Sequence, residues 1–145
     1  LMEKIYIFQI IKINFFSIDI ETGIVNWVNN ISSSLTPILI QNYIITVSKD
    51  GYLFFLQKNE GNIIKINDTF GFYKKKHRKK IEPRGFVVGL DKLYLTNDDG
   101  KIIVIKLKTG KILKIHKISR NNLSKPFIHK KNLFVIKNGS INQYN

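Results

Sequence analysis

Three groups of side chains in this 145-residue chain are of types that could do chemistry. The run Tyr73-Lys74-Lys75-Lys76-His77-Arg78-Lys79-Lys80 concentrates cations that would attract an anion. Asn97-Asp98-Asp99-Gly100 offers oxygen ligands of the kind calcium takes, but a calcium loop spaces its ligands along a longer stretch. His77, His116 and His129 could serve as metal ligands or proton carriers, yet no two stand at ligand spacing. One lies in the basic run, one in a lysine-flanked strand and one in a hairpin. Asp50, Asp98 and Asp99 read as turn formers, because Asp and Asn side chains bond their own backbone. Cysteine is absent, which removes disulfides, thiolate metal sites and a cysteine nucleophile but leaves the compartment open. No Ser-His-Asp grouping, phosphate-cradling glycine loop or paired-carboxylate cleft emerges. The expectation is a chain with no catalytic residue, no cofactor and no metal.

The formal charge of +14 points first to nucleic acid or an anionic membrane. Composition offers a plainer source. The chain is crowded with Ile, Lys and Asn, has no alanine and uses Lys far more than Arg, as AT-rich coding produces. Readers of nucleic-acid phosphate favour Arg forks, so nucleic acid is not the expected partner. The basic run, with its flanks about residues 70–82, makes one connection longer than its counterparts. Insertions in repeat proteins map to loops, often on one functional face. It reads either as a solvated loop or as a binding loop (Lys74, Lys75, Lys76, His77, Arg78, Lys79 and Lys80) for an acidic partner or anionic lipid.

The elements that would position these groups are set by turns. A phrase recurs three times, best at Asp19-Ile20-Glu21-Thr22-Gly23-Ile24-Val25-Asn26-Trp27 and in weaker form at 57–65 and 106–114. Thr22-Gly23 becomes Glu60-Gly61 and then Thr109-Gly110. A second landmark alternates with it at Asp50-Gly51, Asp99-Gly100 and Asn138-Gly139. A cycle of about 40 to 50 residues marks repeated supersecondary units. Gly23, Gly51, Gly61, Gly100, Gly110 and Gly139 stand where tight hairpins need a positive φ. Pro37, Pro83 and Pro126 each precede the first strand of a hairpin.

Between the turns lie short β-branched and aromatic runs. Thirteen strands are expected, at 15–20, 24–29, 38–41, 43–48, 52–57, 63–67, 86–89, 92–96, 102–107, 112–118, 127–129, 132–136 and 140–144. No segment has the spacing of a long helix. The fold class expected is all-β, a partial β-propeller of about three four-stranded antiparallel blades, forming one domain over residues 1–145.

Met2 to Phe16 is apolar, but Gln9, Lys12 and Asn14 interrupt it and no small-residue cleavage site follows, so it is not read as a signal peptide or membrane helix. Where a polar turn should precede Phe15, the chain has Phe8-Gln9-Ile10-Ile11-Lys12. A one-base shift in AT-rich codons restores such a turn, and a frameshift near the N-terminus is the expectation. Leu1 is not methionine, so the chain is read as beginning inside a longer frame and ending naturally near Asn145. About three blades cannot close a propeller of four to eight. Missing N-terminal blades of the same chain, or several copies in one ring, would complete it.

The phrase Asp19-x-x-Thr22-Gly23-x-x-x-Trp27, the hairpin ending at Ser48-Lys49-Asp50-Gly51 and the run Tyr52-Leu53-Phe54-Phe55-Leu56 resemble the pyrroloquinoline-quinone-type (PQQ-like) β-propeller repeat. The resemblance covers Phe15 to Tyr144 and is nearest to the outer-membrane assembly lipoprotein BamB and related alphaproteobacterial proteins. It implies a non-enzymatic protein-binding scaffold in the periplasm or cell envelope, with the outer-membrane assembly machinery as partner and any membrane anchor outside this stretch. It also implies that Trp27 packs between blades. The family's quinoprotein dehydrogenases need a tryptophan-stacked quinone, a calcium, a catalytic aspartate and usually a vicinal disulfide. This chain has one Trp and no Cys, so a degenerate dehydrogenase fragment is the alternative rather than the expectation.

Overall fold

The computed structural model describes residues 5–9, for their backbone, and 15–144. The β-branched and aromatic runs form fourteen strands among the described residues: β1 (Ile5–Gln9), β2 (Phe15–Asp19), β3 (Val25–Asn29), β4 (Ile38–Ile40), β5 (Tyr43–Val47), β6 (Tyr52–Gln57), β7 (Ile63–Asp68), β8 (Pro83–Gly89), β9 (Lys92–Asn97), β10 (Lys101–Lys106), β11 (Ile112–Lys117), β12 (Phe127–His129), β13 (Asn132–Lys137) and β14 (Ser140–Tyr144). One single-turn helix, α1 (Lys75–Arg78), lies between β7 and β8. The strands pair in chain order into four antiparallel sheets, β1-β2-β3, β4-β5-β6-β7, β8-β9-β10-β11 and β12-β13-β14. These are blades of a partial propeller.

Two expectations change. The strand beyond the thirteen is β1, which pairs with β2 from Ile5↔Asp19 to Gln9↔Phe15. Its sequence, Ile-Tyr-Ile-Phe, has no apolar–polar alternation to announce a strand. Residues 1–4 and 10–14, on which much of the leader and frameshift reading falls, lie outside the described residues. Pro83 does not precede its strand but begins it, opposite Asn97. β8 is an edge strand, where the missing N–H breaks no ladder bond.

The chain divides into two compact units, Leu1–Lys49 with Leu53–Ile66, and Asp50–Tyr52 with Asn67–Asn145. In the first unit Phe15, Trp27, Ile31, Ile44 and Leu56 form a buried cluster. In the second, Ile102, Leu123, Leu133 and Val135 do the same, with Val87, Tyr94 and Ile128 packed against them. Thr96, fully buried, donates to the Ser124 carbonyl at 2.8 Å, joining β9 to the chain that leads into β12.

The three copies of the turn share one backbone. Gly23 N–H donates to Asp19 O at 2.8 Å, Gly61 N–H to Gln57 O at 2.9 Å and Gly110 N–H to Lys106 O at 2.7 Å. Each glycine is left-handed, with φ of 72°, 70° and 70°. In the first and third copies the returning strand carries a β-bulge, with Asn26 extra opposite Ser17 and Ile18 and Leu113 extra opposite Val104 and Ile105. The extra residue raises the local twist of the pair.

The missing Cβ is used as space. A Cβ on Gly61 would lie 2.3 Å from the Trp27 ring, and one on Gly110 would lie 2.0 Å from Asn67 Oδ1. Gly51 is covered by the Phe70 ring and Gly100 by the Ser119 carbonyl. Gly23, by contrast, has nothing within 4 Å. This separates two costs inside one unit. Gly23→Ala should lose roughly 1–2 kcal/mol, the strain of a left-handed alanine. Gly61→Ala carries the same strain and must also displace Trp27, so its loss should be about twice as large or more. Urea unfolding of the two variants checks this, and equal midpoint shifts would show that Trp27 yields freely.

Candidate functional site

The connection from β7 to β8 holds the basic run, and it is a built structure rather than a slack loop. Phe70 is fully buried over Gly51, and Tyr73 packs edge-on against it with ring centroids 5.3 Å apart. Phe72 and His77 lie against the same tyrosine at 4.1 and 5.5 Å. The Tyr73 hydroxyl donates to Asp99 Oδ2 at 2.8 Å and accepts from Asn97 Nδ2 at 3.2 Å. Lys101 forms an ion pair with the same carboxylate and lies over the Tyr73 ring, 4.5 Å from its centroid. Burial, together with the charge of Asp99, pushes the Tyr73 hydroxyl well above its ordinary range, so it remains a donor.

Arg78 is the second anchor. Its guanidinium pairs with Asp68 at 2.6 Å, donates to the Asp50 carbonyl at 3.0 Å and stacks over the Tyr52 ring at 4.8 Å. The hydrogen bond it donates to Asp68 raises its pKa further, and it stays charged at any working pH. Arg78 therefore belongs to the structure of the loop, not to its solvated charge. Lys74, Lys75, Lys76, His77, Lys79 and Lys80 are exposed. α1 has no acid in its first turn and no side-chain cap.

The other motif residues divide by role. Asp19 caps its turn, accepting from Glu21 N–H at 2.9 Å, Thr22 N–H at 2.8 Å and the Thr22 hydroxyl at 3.0 Å. Those bonds, from Thr22 above all, hold its pKa below the ordinary carboxylate range. Thr22 and Thr109 play the same part, each accepting at 3.3 Å from the N–H two residues on. Trp27 is buried on Gly61, and its indole N–H donates to the Lys58 carbonyl at 3.0 Å. Gly139 has no neighbour within 4 Å. In Asn97-Asp98-Asp99-Gly100 the carboxylates already serve the protein: Asp98 accepts from Glu82 N–H at 3.0 Å, and Asp99 holds Tyr73 and Lys101. Lys101 supplies the cation there. Among the described residues, no three His, Cys, Asp or Glu side chains converge as a metal site.

Sequence reasoning missed Asp68, Tyr73, Asn97 and Lys101 as anchors, and it missed Asn29 and Asn67. Asn29 donates to the Gly61 carbonyl, and Asn67 lies on Gly110. Each stands six residues after its own turn glycine, a periodicity that could have revealed them. In the second unit, a cleft of about 300 Å³ is lined by Tyr94, Ile102, Val104, Leu133 and Tyr144, with His116 beside them. Its mostly apolar walls bring together no acid–base pair.

The family described as outer membrane protein assembly factor BamB matches residues 4–67. Over that stretch the chain is similar to the PQQ-repeat propeller of that family. The crystal structure of BamB from Moraxella catarrhalis superposes with a TM-score of 0.67 at 16% identity, over 90% of this chain and 37% of that one. The chain thus spans little more than a third of that BamB. The computationally designed Ika4 protein gives 0.75 at 14% identity, over 99% and 86%. A quinohemoprotein alcohol dehydrogenase from Pseudomonas putida HK5 gives 0.56 at 18% identity, over 70% and 16%. At such identities the likeness is one of fold. No curated protein matches the chain by sequence.

The quinone of the dehydrogenase branch does not fit these residues. The one tryptophan is committed to Gly61 and Lys58, and no three-ligand group stands beside it among the described residues.

Two predictions follow from the anchors. Asp19 has a depressed folded pKa, so its contribution to stability is present above the unfolded value near 4 and is lost as pH falls through the folded one. The stability gap between the parent chain and Asp19→Ala should therefore shrink as pH drops below about 4, as read from urea unfolding at stepped pH. Asp68→Asn keeps the Oδ1 that accepts from Phe70 N–H but loses the Arg78 ion pair. It leaves every tryptic site in place. Cleavage by trypsin within 74–80 should speed up about fivefold, the worth of one partly exposed ion pair.

Proposed function

We propose that the chain acts as a non-catalytic protein-binding scaffold of the BamB type, working in the periplasm or cell envelope with the outer-membrane protein assembly machinery. The observation that carries this reading is the match of residues 4–67 to that assembly factor. The use of side chains agrees with it. Carboxylates that could do chemistry cap turns or hold loop anchors, while aliphatic side chains stand in solvent. Leu90 is the clearest, 89% exposed at the β8–β9 hairpin tip with a left-handed φ of 55°. The same left-handed turn position is held by Gln41 and Lys130 in the β4–β5 and β12–β13 hairpins, and here it leaves a leucine open to a partner.

The test is direct binding of the purified chain to the purified assembly complex of the same cell, with Leu90→Asp as the variant. Binding that weakens about tenfold in the variant is expected, the loss of one buried leucine contact. Absence of binding by the parent chain overturns the reading. A parallel arm adds pyrroloquinoline quinone, calcium and a primary alcohol and follows dye reduction. Turnover there would favour the degenerate dehydrogenase, whose fold this chain also shares.

A further inference from the structure

Among the described residues, the ammonium groups of the five exposed lysines between β7 and β8 make no hydrogen bond or ion pair, yet the loop that carries them is held in place. Tyr73, Arg78 and Ile81 face inward: Tyr73 onto Phe70 and Asp99, Arg78 onto Asp68, Asp50 and Tyr52, and Ile81 into the core at 6% exposure. Lys74, Lys75, Lys76, Lys79 and Lys80 are exposed, within α1 or beside it. Packing like charges so closely is unfavourable. A flexible loop would let them separate, and this one does not.

Nearby acids do not neutralise them. Asp68 is taken by Arg78, Asp99 by Lys101, and Glu82 lies 3.7 Å from Arg84. Beside the lysines, Phe72 is 39% exposed, its ring stacked on Tyr73. Clustered lysines with an aromatic at their base is the chemistry of docking on an anionic lipid surface, where the ammonium groups meet headgroups and the ring enters the interface.

We infer that the turn from Phe72 to Lys80 is a membrane-docking element that holds this propeller segment on an anionic phospholipid surface. The chemistry favours lipid over nucleic acid. The one guanidinium of this turn, the group suited to forked recognition of phosphate, is turned inward onto Asp68. Lysines alone read charge density, which is what a lipid surface presents. The inference does not depend on the scaffold reading.

Flotation of the purified chain with vesicles tests it. Binding to mixed phosphatidylcholine–phosphatidylglycerol vesicles at low salt is expected, with none to phosphatidylcholine alone and release at high salt. Changing Lys74, Lys75, Lys76, Lys79 and Lys80 to Gln should weaken binding at least tenfold. Changing the equally exposed Lys106, Lys111, Lys114, Lys130 and Lys131 to Gln removes the same charge elsewhere and should weaken it no more than about threefold. Phe72→Ser should weaken binding in a way that salt does not reproduce. Equal losses from the two lysine sets would overturn the proposal and leave only the net charge at work. So would retention of a short DNA duplex by the loop lysines without vesicle binding. Circular dichroism of each variant confirms the fold.

Discussion

Six turn glycines with φ between 70° and 80° impose the constraint on which the rest of this structure depends. A strand reversal of this kind needs a left-handed residue, and glycine adopts it without steric cost. The same choice leaves an open place over the backbone, and other elements come into it. Trp27 covers Gly61, Phe70 covers Gly51, Asn67 covers Gly110 and the Ser119 carbonyl covers Gly100. Turn geometry and packing distance are thus set by one residue type. That explains how the repeat tolerates so much erosion. Gln57 and Lys106 stand where Asp19 caps the first copy, yet the glycine-to-carbonyl bond that closes the turn is the same in all three.

Strand placement was legible in the sequence because it depends on local signals. Glycine pairs mark the turns, and runs such as Tyr52 to Gln57 and Ile102 to Ile105 can hardly be anything but strands. β1 was missed because Ile5-Tyr6-Ile7-Phe8 has no polar partner residues to show a period of two. The loop anchors were missed for a different reason. Arg78 finds Asp68 ten residues back and the Asp50 carbonyl twenty-eight back, while Tyr73 finds Asp99 twenty-six ahead. Such pairs form only after the hairpins have folded, and no local pattern announces them. The basic run therefore looked uniform, although one of its cations is structural and the others are not.

The worn copies also show what Trp27 contributes. In the second copy its place is taken by Lys65, whose ammonium lies 5.4 Å from the Phe55 ring centroid within the same sheet. In the third, Lys114 stands there, exposed. A buried aromatic is thus replaced by a lysine that is half-buried in the second copy and exposed in the third. The packing role passes to Asn67, two residues further along, which lies on Gly110 as Asn29 lies against Gly61. An asparagine on a glycine turn occupies less volume than an indole, and the Asn67 Oδ1 is buried there without a hydrogen-bond partner among the described residues. The repeat thus keeps its close approach while losing the residue by which it is usually recognised.

The division of charge carries the last step. Of the acids in the second unit, Asp68, Asp98 and Asp99 are bound to backbone N–H groups, to Arg78, or to Tyr73 and Lys101. Negative charge is thereby drawn into the supports of the loop, and positive charge is left at its surface. Net charge from biased codon usage would scatter lysines evenly and would not tie down the loop that holds them. Here a half-buried tyrosine, an ion pair and a cation–π contact all act on the same short connection. Ordering those side chains costs conformational entropy, and an idle solvated loop would give nothing in return. A loop rigid before its partner arrives has already met that cost, so its lysines can engage a charged surface without a further penalty for ordering. The shorter connections that lead into β4 and β12 are anchored as well, by Ser33 on the Val47 carbonyl and by Leu123 in the core, and this one differs in setting five exposed lysines on its anchors.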